Sequence, residues 1–479
     1  MKEKNEAFYN LQTMLNSYWQ RISGYISNSW QEKTRVLAPG VTEVDPGIKK
    51  LLTGKVYKIN PNPSRESKPH DFAYDIGPIL DELDQQHEGR KAYSKFNTLT
   101  DGTHLLADTS PDAIKIRSLL IYYLKDLEHI DKITQQVLTE TREKTDTTKM
   151  SPEQFIRTII LKILMKLFFA SDQLPEDTIE IMKLFASTAF SLSFSTCSQL
   201  SFFDSKHRKA KQQYKKFAKE LMSTQVHLIF DRFQSDCFDP ELKGENLFVD
   251  LIIQQVKENY PSLAKDKKAL KRYLKNLDEQ EIIHYLDDMT SFPSILILAD
   301  NVSAVVVEFI KKLYLTTASA KSQPSMLGAI QQEGEMKFPD KVREGSNLTR
   351  KELRELQNLD TYYHQALKAL ATSNVIGRYN KNPVRLKNKK TGDEVEIPAN
   401  SFLFFELGSA AAEEKDVAFS SNFSVPGHTR KCPGSQVAAQ IFKAIVNELI
   451  FGPKRLAFDS INSCYLIDRE SQSKLSIQS

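Results

Sequence analysis

The sequence predicts a mainly α-helical domain with a small β-rich subdomain, and three observations carry that prediction. Apolar residues recur at helical spacing over most of the chain. Strand-like patterning is sparse and late, around KNPVRLKNKKTGDEVEIP. No internal repeat and no long low-complexity linker divides the 479 residues, which favours one large fold.

Taken in order, the periodicity predicts helices over Glu6–Ser27, Asp112–Glu128, Ile130–Arg142, Pro152–Ala170, Asp177–Phe190 and His207–Asp231. Further helices are expected over Phe248–Glu258, Asp266–Asn276, Asp278–Tyr314, Thr349–Ala371 and Gly434–Leu449. Ser151 ahead of Pro152, and Thr349 followed by Glu352, are helix-start signals, because each offers a side-chain acceptor to unpaired first-turn N–H groups. Strands are expected at Val384–Leu386, Glu394–Ile397 and Phe402–Leu407, with a turn at Thr391-Gly392-Asp393. Residues 1–50 read as a helical N-terminal extension and residues 51–479 as a single domain.

Composition narrows the function. Hydrophobic residues at 40% with 10% aromatics suffice for a sizeable core. A net charge of +4 is small for this length, so nothing global points to nucleic acid or an anionic membrane. The basic stretch Ser205–Lys219 fits the solvated face of a helix that turns Tyr214, Phe217 and Leu221 inward. The cysteines, Cys197, Cys237, Cys432 and Cys464, form no C-x-x-C pair, which argues against a zinc site or disulfide framework and for a reducing compartment. The polar N-terminus resembles neither a signal peptide nor an anchor. The apolar stretches Thr158–Ala170 and Ile295–Val307 are too short to span a bilayer. A soluble, cytoplasmic protein is expected.

The most informative segment is FSVPGHTRKCPG (Phe423–Gly434), followed by the apolar SQVAAQIFKAIVNELI. It sets Cys432 at the mouth of a helix, where the dipole and free backbone N–H groups favour thiolate over thiol. Arg430 adds a fork suited to a carboxylate, and Gly434 allows close backbone approach to something flat. Iron takes a thiolate and propionates take an arginine, so the donor set is that of a haem. The competing reading is a small buried hydrophobe, the commonest role of a lone cysteine.

Four segments in order resemble a cytochrome P-450, and the resemblance covers about Asn97 to Gly452. LLADTSPDAIKIRSLL (Leu105–Leu120) resembles the family's acid-Pro-acid-His-x-x-x-Arg stretch, with Asp108, Pro111, Asp112 and Arg117 in place and Ala113 where histidine is expected. Leu277–Tyr314 resembles the long helix over the distal haem face. LTRKELRELQNLDTYYHQALKALATSNVIGR resembles the helix bearing Glu-x-x-Arg and the strand arginine after it. The ligand loop matches at Arg430, Cys432, Gly434 and Ala438. The departures are Gln365 and Lys368 in place of the Glu-x-x-Arg pair, no visible Pro-x-Arg-Phe stretch, and His428 where the loop's glycine is expected.

The resemblance implies the cytochrome P-450 fold and haem b (iron protoporphyrin IX), with Cys432 as iron ligand and Arg117, Arg378 and Arg430 as propionate partners. On the distal helix the family's Ala-Gly-x-acid-Thr aligns with Ala299, Asp300, Asn301, Val302 and Ser303. Serine can supply the hydroxyl of a proton relay, but valine cannot supply the acid. Asp300, three positions before Ser303, either serves as a relocated acid or fills a groove beside Asn301. The implied activity is that of a monooxygenase inserting one atom of dioxygen into a small apolar molecule. Electrons would come from a separate ferredoxin- or flavodoxin-like donor. A peroxygenase, an isomerase or dehydratase on the same haem scaffold, or a haem-binding protein without turnover are the alternatives.

Overall fold

The computed structural model describes residues 33–45, 55–60, 74, 76–85, 99, 120–144, 152–170, 177–194, 205–234, 247–278, 281–282, 292–319, 326–370, 375–406, 434–452, 454–460 and 463–468. The described chain starts with strands β1 (Lys33–Ala38), β2 (Val41–Asp45) and β3 (Lys55–Ile59). Helices follow: α1 (Ile76–Gln85), α2 (Leu127–Lys144), α3 (Pro152–Phe169), α4 (Thr178–Phe194), α5 (Ser205–Gln234) and α6 (Leu247–Asn259). After a short 3₁₀ turn come α7 (Lys267–Lys275), α8 (Phe292–Ser319), α9 (Met326–Lys337), α10 (Pro339–Glu344), α11 (Arg350–Glu355) and α12 (Gln357–Leu370). Strands β4 (Val375–Asn380), β5 (Val384–Lys387), β6 (Glu394–Ile397) and β7 (Ser401–Glu406) precede α13 (Ser435–Ile450) and the hairpin β8 (Lys454–Ser460) and β9 (Ser463–Asp468). The mainly helical architecture with a small β-rich part is the one the periodicity predicts.

Four helices, α2, α3, α8 and α13, close a bundle in which each packs on two of the others. Its cement is apolar: Ile159, Ile160, Ile163 and Leu164 of α3, Val306 and Phe309 of α8, and Ile441, Phe442 and Ile445 of α13 belong to one core cluster, all at 0% exposure. Each such side chain contributes about 1.5–3 kcal/mol on burial, so this cluster fixes where the four helices lie. Helix α3 is buried nearly all round, which explains its continuous apolar run.

The five-stranded sheet has the order β1-β2-β3-β7-β4, with β3 and β7 parallel and the other pairs antiparallel. Residues 33–45 therefore form sheet, not the helix that a 1–50 extension predicts. Their alternation, TRV and VTEV around a Pro39-Gly40 turn, is too short to register as strand until β3 pairs with it. Gly40 sits at φ +81°, and a Cβ there would lie 2.4 Å from the Asn60 carbonyl oxygen, so the turn needs glycine. Residues 1–32 lie outside the described residues.

The helix expected over Thr349–Ala371 is two helices. Thr349 caps α11 in a capping box with Glu352, as the sequence predicts, but Leu356 leaves the helical region at ψ 96°. A new helix starts at Gln357 because Glu333 of α9 accepts from the Gln357 and Asn358 N–H groups, both at 2.8 Å. Lys337 donates to the same carboxylate at 2.9 Å. Burial alone would raise the Glu333 pKa, but the ammonium and the two N–H donors outweigh it and hold the carboxyl below its usual range. Helices α9 and α10 lay outside the sequence expectations altogether.

A lowered carboxyl pKa contributes stability above the unfolded-state value that is lost as pH falls through the folded one. Glu333→Gln is therefore expected to destabilise the protein by about 1–3 kcal/mol at neutral pH, where a charged acceptor is lost to buried donors. The deficit should shrink toward zero as the pH drops below the ordinary carboxylate range. Urea unfolding at neutral and acid pH measures both.

Candidate functional site

Helix α13 enters the core from the segment that carries Cys432 and Arg430, both of which lie outside the described residues. Gly434 is the N-cap, at φ −84° and ψ 1°, and its carbonyl accepts from the Ala438 N–H at 2.8 Å. That conformation is open to any residue, so the glycine's contribution is its missing Cβ in a buried position. It also brings no side-chain acceptor to the first-turn N–H groups.

Polar contacts fix α13 along its length. Gln440 donates to Asp131 of α2 at 2.8 Å, and Lys443 pairs with Asp360 of α12 at 2.9 Å. Asn447 is fully buried; its amide donates to the Leu348 carbonyl at 2.8 Å and accepts from the Leu348 N–H at 3.1 Å. Glu448 accepts from Asn347 at 2.6 Å. Between them lies Phe442, whose ring meets Phe309 of α8 edge-on at 5.0 Å and Tyr363 of α12 at 4.6 Å. Phe442 is about 12 Å along α13 from Gly434, and Phe309 about 9 Å along α8 from Ser303.

On α8, Ala299 and Ser303 are fully buried, and the Ser303 hydroxyl donates to the Ala299 carbonyl at 2.6 Å. Val302 is buried and apolar. The Asp300 carboxylate turns to α3 and pairs with Arg157, whose side chain is 12% exposed against 26% for Asp300. Arg157 also holds Glu153 at 2.9 Å, and Lys183 of α4 reaches Glu153 at 3.7 Å. The hydrogen bond from Arg157, ahead of burial, which acts the other way, and with help from Lys183, keeps the Glu153 carboxyl below its usual range. The pattern did not reveal Arg157 as the partner of Asp300. Its only cue was a cation inside the apolar run PEQFIRTIILKILMK.

The remaining candidates are scattered. Arg378 lies on β4 opposite Leu403 of β7, 2% exposed, and its Nη1 donates to the Gly377 carbonyl at 2.8 Å. Gln365 of α12 is exposed. Arg117 and His428 lie outside the described residues, as does the Lys368 side chain. The structure thus brings Ala299, Asp300 and Ser303 together on α8 and places Gly434 at the head of α13.

The described residues fit a flat anionic cofactor in their chemistry. A guanidinium is buried in the sheet, Gly434 as N-cap offers no side-chain acceptor to the first turn of α13, and α8 carries small residues at Ala299 and Ser303. Among the described residues no group of His, Cys, Asp and Glu is placed to hold a metal ion, and no helix is long and apolar enough to cross a membrane.

Neither a family model nor a curated protein matches the sequence. Among solved structures, a zebrafish cytochrome P-450 determined with abiraterone is similar over 91% of this chain and 95% of its own, with a TM-score of 0.54 at 11% identity. The chain therefore has the cytochrome P-450 fold. At that identity the likeness extends to the fold and no further.

Two expectations follow from these contacts. Asn447→Ala should cost about 2–4 kcal/mol, because it strands a buried N–H and a buried carbonyl of Leu348. In a double-mutant cycle by urea unfolding, Arg157→Gln and Asp300→Asn should each destabilise while the double variant loses less than the sum, with a coupling of about 1–3 kcal/mol. Additive losses would show that the pair is not coupled.

Proposed function

We propose that this protein is a haem-thiolate oxidoreductase, a soluble cytoplasmic monooxygenase that inserts one oxygen atom from dioxygen into a small apolar molecule. The observation that carries the reading is the cytochrome P-450 fold in a chain whose sequence sets Cys432 two residues ahead of Gly434, at the head of a helix fixed by buried polar contacts. Cys432 would hold the iron of haem b, and Arg117, Arg378 and Arg430 its propionates. When bound, a thiolate-ligated haem supplies the oxidising chemistry. The chain's own part is to exclude water with the apolar α8 and to hand on a proton. Ser303 Oγ donates to the Ala299 carbonyl, which leaves its lone pairs to accept from a water. A separate ferredoxin- or flavodoxin-like protein would supply electrons.

A second reading draws on one specific observation. The single carboxylate near Ser303 on α8, Asp300, is engaged by Arg157, and Val302 offers no acid. That arrangement favours a peroxide-using reaction, which needs no acid–alcohol relay.

Cys432→Ser should leave the helix content unchanged while abolishing the red-shifted Soret band of the reduced, carbon-monoxide-bound protein. A wild-type chain that folds without ever giving that band sinks the haem-thiolate reading.

Ser303→Ala and Asp300→Asn separate the two chemistries. If Ser303 and Asp300 relay protons, both variants lose about 10²–10⁴-fold in dioxygen-driven turnover and little with peroxide. If they do not, dioxygen-driven turnover is already poor in the wild type, and peroxide-driven turnover survives in both variants.

A further inference from the structure

The basic stretch in α5 has a neighbour that the sequence did not reveal. Along α5, Arg208, Lys209, Lys216 and Lys219 are exposed on one face, while Ala210, Tyr214, Phe217 and Leu221 are buried on the other. Helix α7 packs against α5 and buries Leu270 and Leu274 in the same core. It leaves Lys268, Arg272 and Lys275 exposed, with Lys265 just before it. Helices α5 and α7 pack on each other, and each turns a basic row to solvent. Among the described residues, acidic side chains are sparse along the two rows. Helix α7 has none, α5 has none before Glu220, and the Asp266 carboxylate accepts from the Lys268 and Ala269 N–H groups at 2.9 and 3.1 Å. Among the described residues, the eight cations named here are accompanied along the two rows by the carboxylates of Glu220 and Asp266, in a chain whose net charge is only +4.

We infer that the α5–α7 face is a docking surface for membranes rich in anionic lipid. Six of the eight cations are lysines, which are hydrated point charges; protein interfaces are depleted in lysine, whereas planar recognition of single groups favours arginine. A lysine field suits a diffuse anionic surface, where each cation adds independently. Tyr260, 44% exposed and set against Tyr273 of α7 with the rings tilted and 5.5 Å apart, supplies an amphipathic ring beside α7, of the kind found at lipid headgroups. The position argues against an electron donor. Helix α5 packs on α4, α6 and α7, whereas α13 packs on α2, α8, α11 and β8.

Co-sedimentation of the full chain with vesicles tests this, using phosphatidylcholine alone and phosphatidylcholine with phosphatidylserine. The protein is expected to bind only the mixed vesicles and to be released as salt screens the charges. Arg208→Gln, Lys209→Gln, Lys216→Gln and Lys219→Gln combined should lower partitioning about 100-fold or more. Lys265→Gln, Lys268→Gln and Lys275→Gln combined, on the other helix, should do the same with unchanged circular dichroism. A control of equal net charge to the first variant (Arg35→Gln, Lys55→Gln, Lys58→Gln, Lys351→Gln) should bind as wild type. Equal loss in the control, or unchanged binding in both patch variants, overturns the assignment. So does a wild type that ignores phosphatidylserine vesicles, whether it binds duplex DNA, an acidic protein or nothing.

Discussion

The buried amide of Asn447 is the constraint on which the candidate site depends. A side-chain amide at zero exposure is tolerated only if its polar atoms find partners, and here both the donor and the acceptor meet the backbone of Leu348. That pair of bonds admits one rotation and one height for α13. A slip of one residue would turn the helix by about 100° and shift it by about 1.5 Å, leaving the amide and Leu348 unpaired in the core. Gln440 and Lys443 repeat the constraint nearer the N-terminus, from two different helices. Apolar packing around Phe442 supplies most of the binding energy but is indifferent to small slips; the polar contacts supply the register.

Electrostatics on α8 follow from the same rule. A carboxylate in a helix as apolar as Phe292–Ser319 is costly unless it is paired, and the nearest wall is α3. Arg157 is that pair, and being itself largely buried it needs more than one acceptor, which Glu153 provides. The three charges stabilise one another as a row from α8 to the α3–α4 edge. For Asp300 this satisfies the structural demand without invoking chemistry. Any role in proton movement would have to proceed from the paired state, with the hydroxyl of Ser303 one turn away already donating to the backbone.

What the sequence disclosed was the part written in local patterns. The long helices and the β5–β6 hairpin with its Gly392 turn were legible because period and turn chemistry are short-range. The division of α11 from α12 was not, since its cap is a glutamate delivered from 24 residues away. Strands β1 and β2 were missed for a related reason: a short strand is defined by its partner, and β3 in turn pairs with β7 across the length of the chain. In the site, the residue types on α8 were legible, but their orientation was not. Asp300 could be read as an acid near Ser303, yet nothing in its neighbourhood announced an arginine 143 residues earlier.

The sequence resemblance sets Gln365 and Lys368 at the place of a Glu-x-x-Arg pair, which directs attention to how α12 is held. In the family resemblance that pair supplies charges on the helix itself. Here Gln365 is exposed, and the described charged ties of α12 are at Glu333 and Asp360. At its start, Glu333 takes two backbone N–H groups, where a carboxylate also meets the positive end of the helix dipole. On its flank, Asp360 meets Lys443 of α13 and lies 3.5 Å from His364. Tyr363, packed on Phe442, fills the space between. These contacts bind α12 to α9 and α13 as a charged pair within α12 could not, because they act between helices. Helix α12 is thus held to α9 through Glu333 and to α13 through Asp360 and Tyr363.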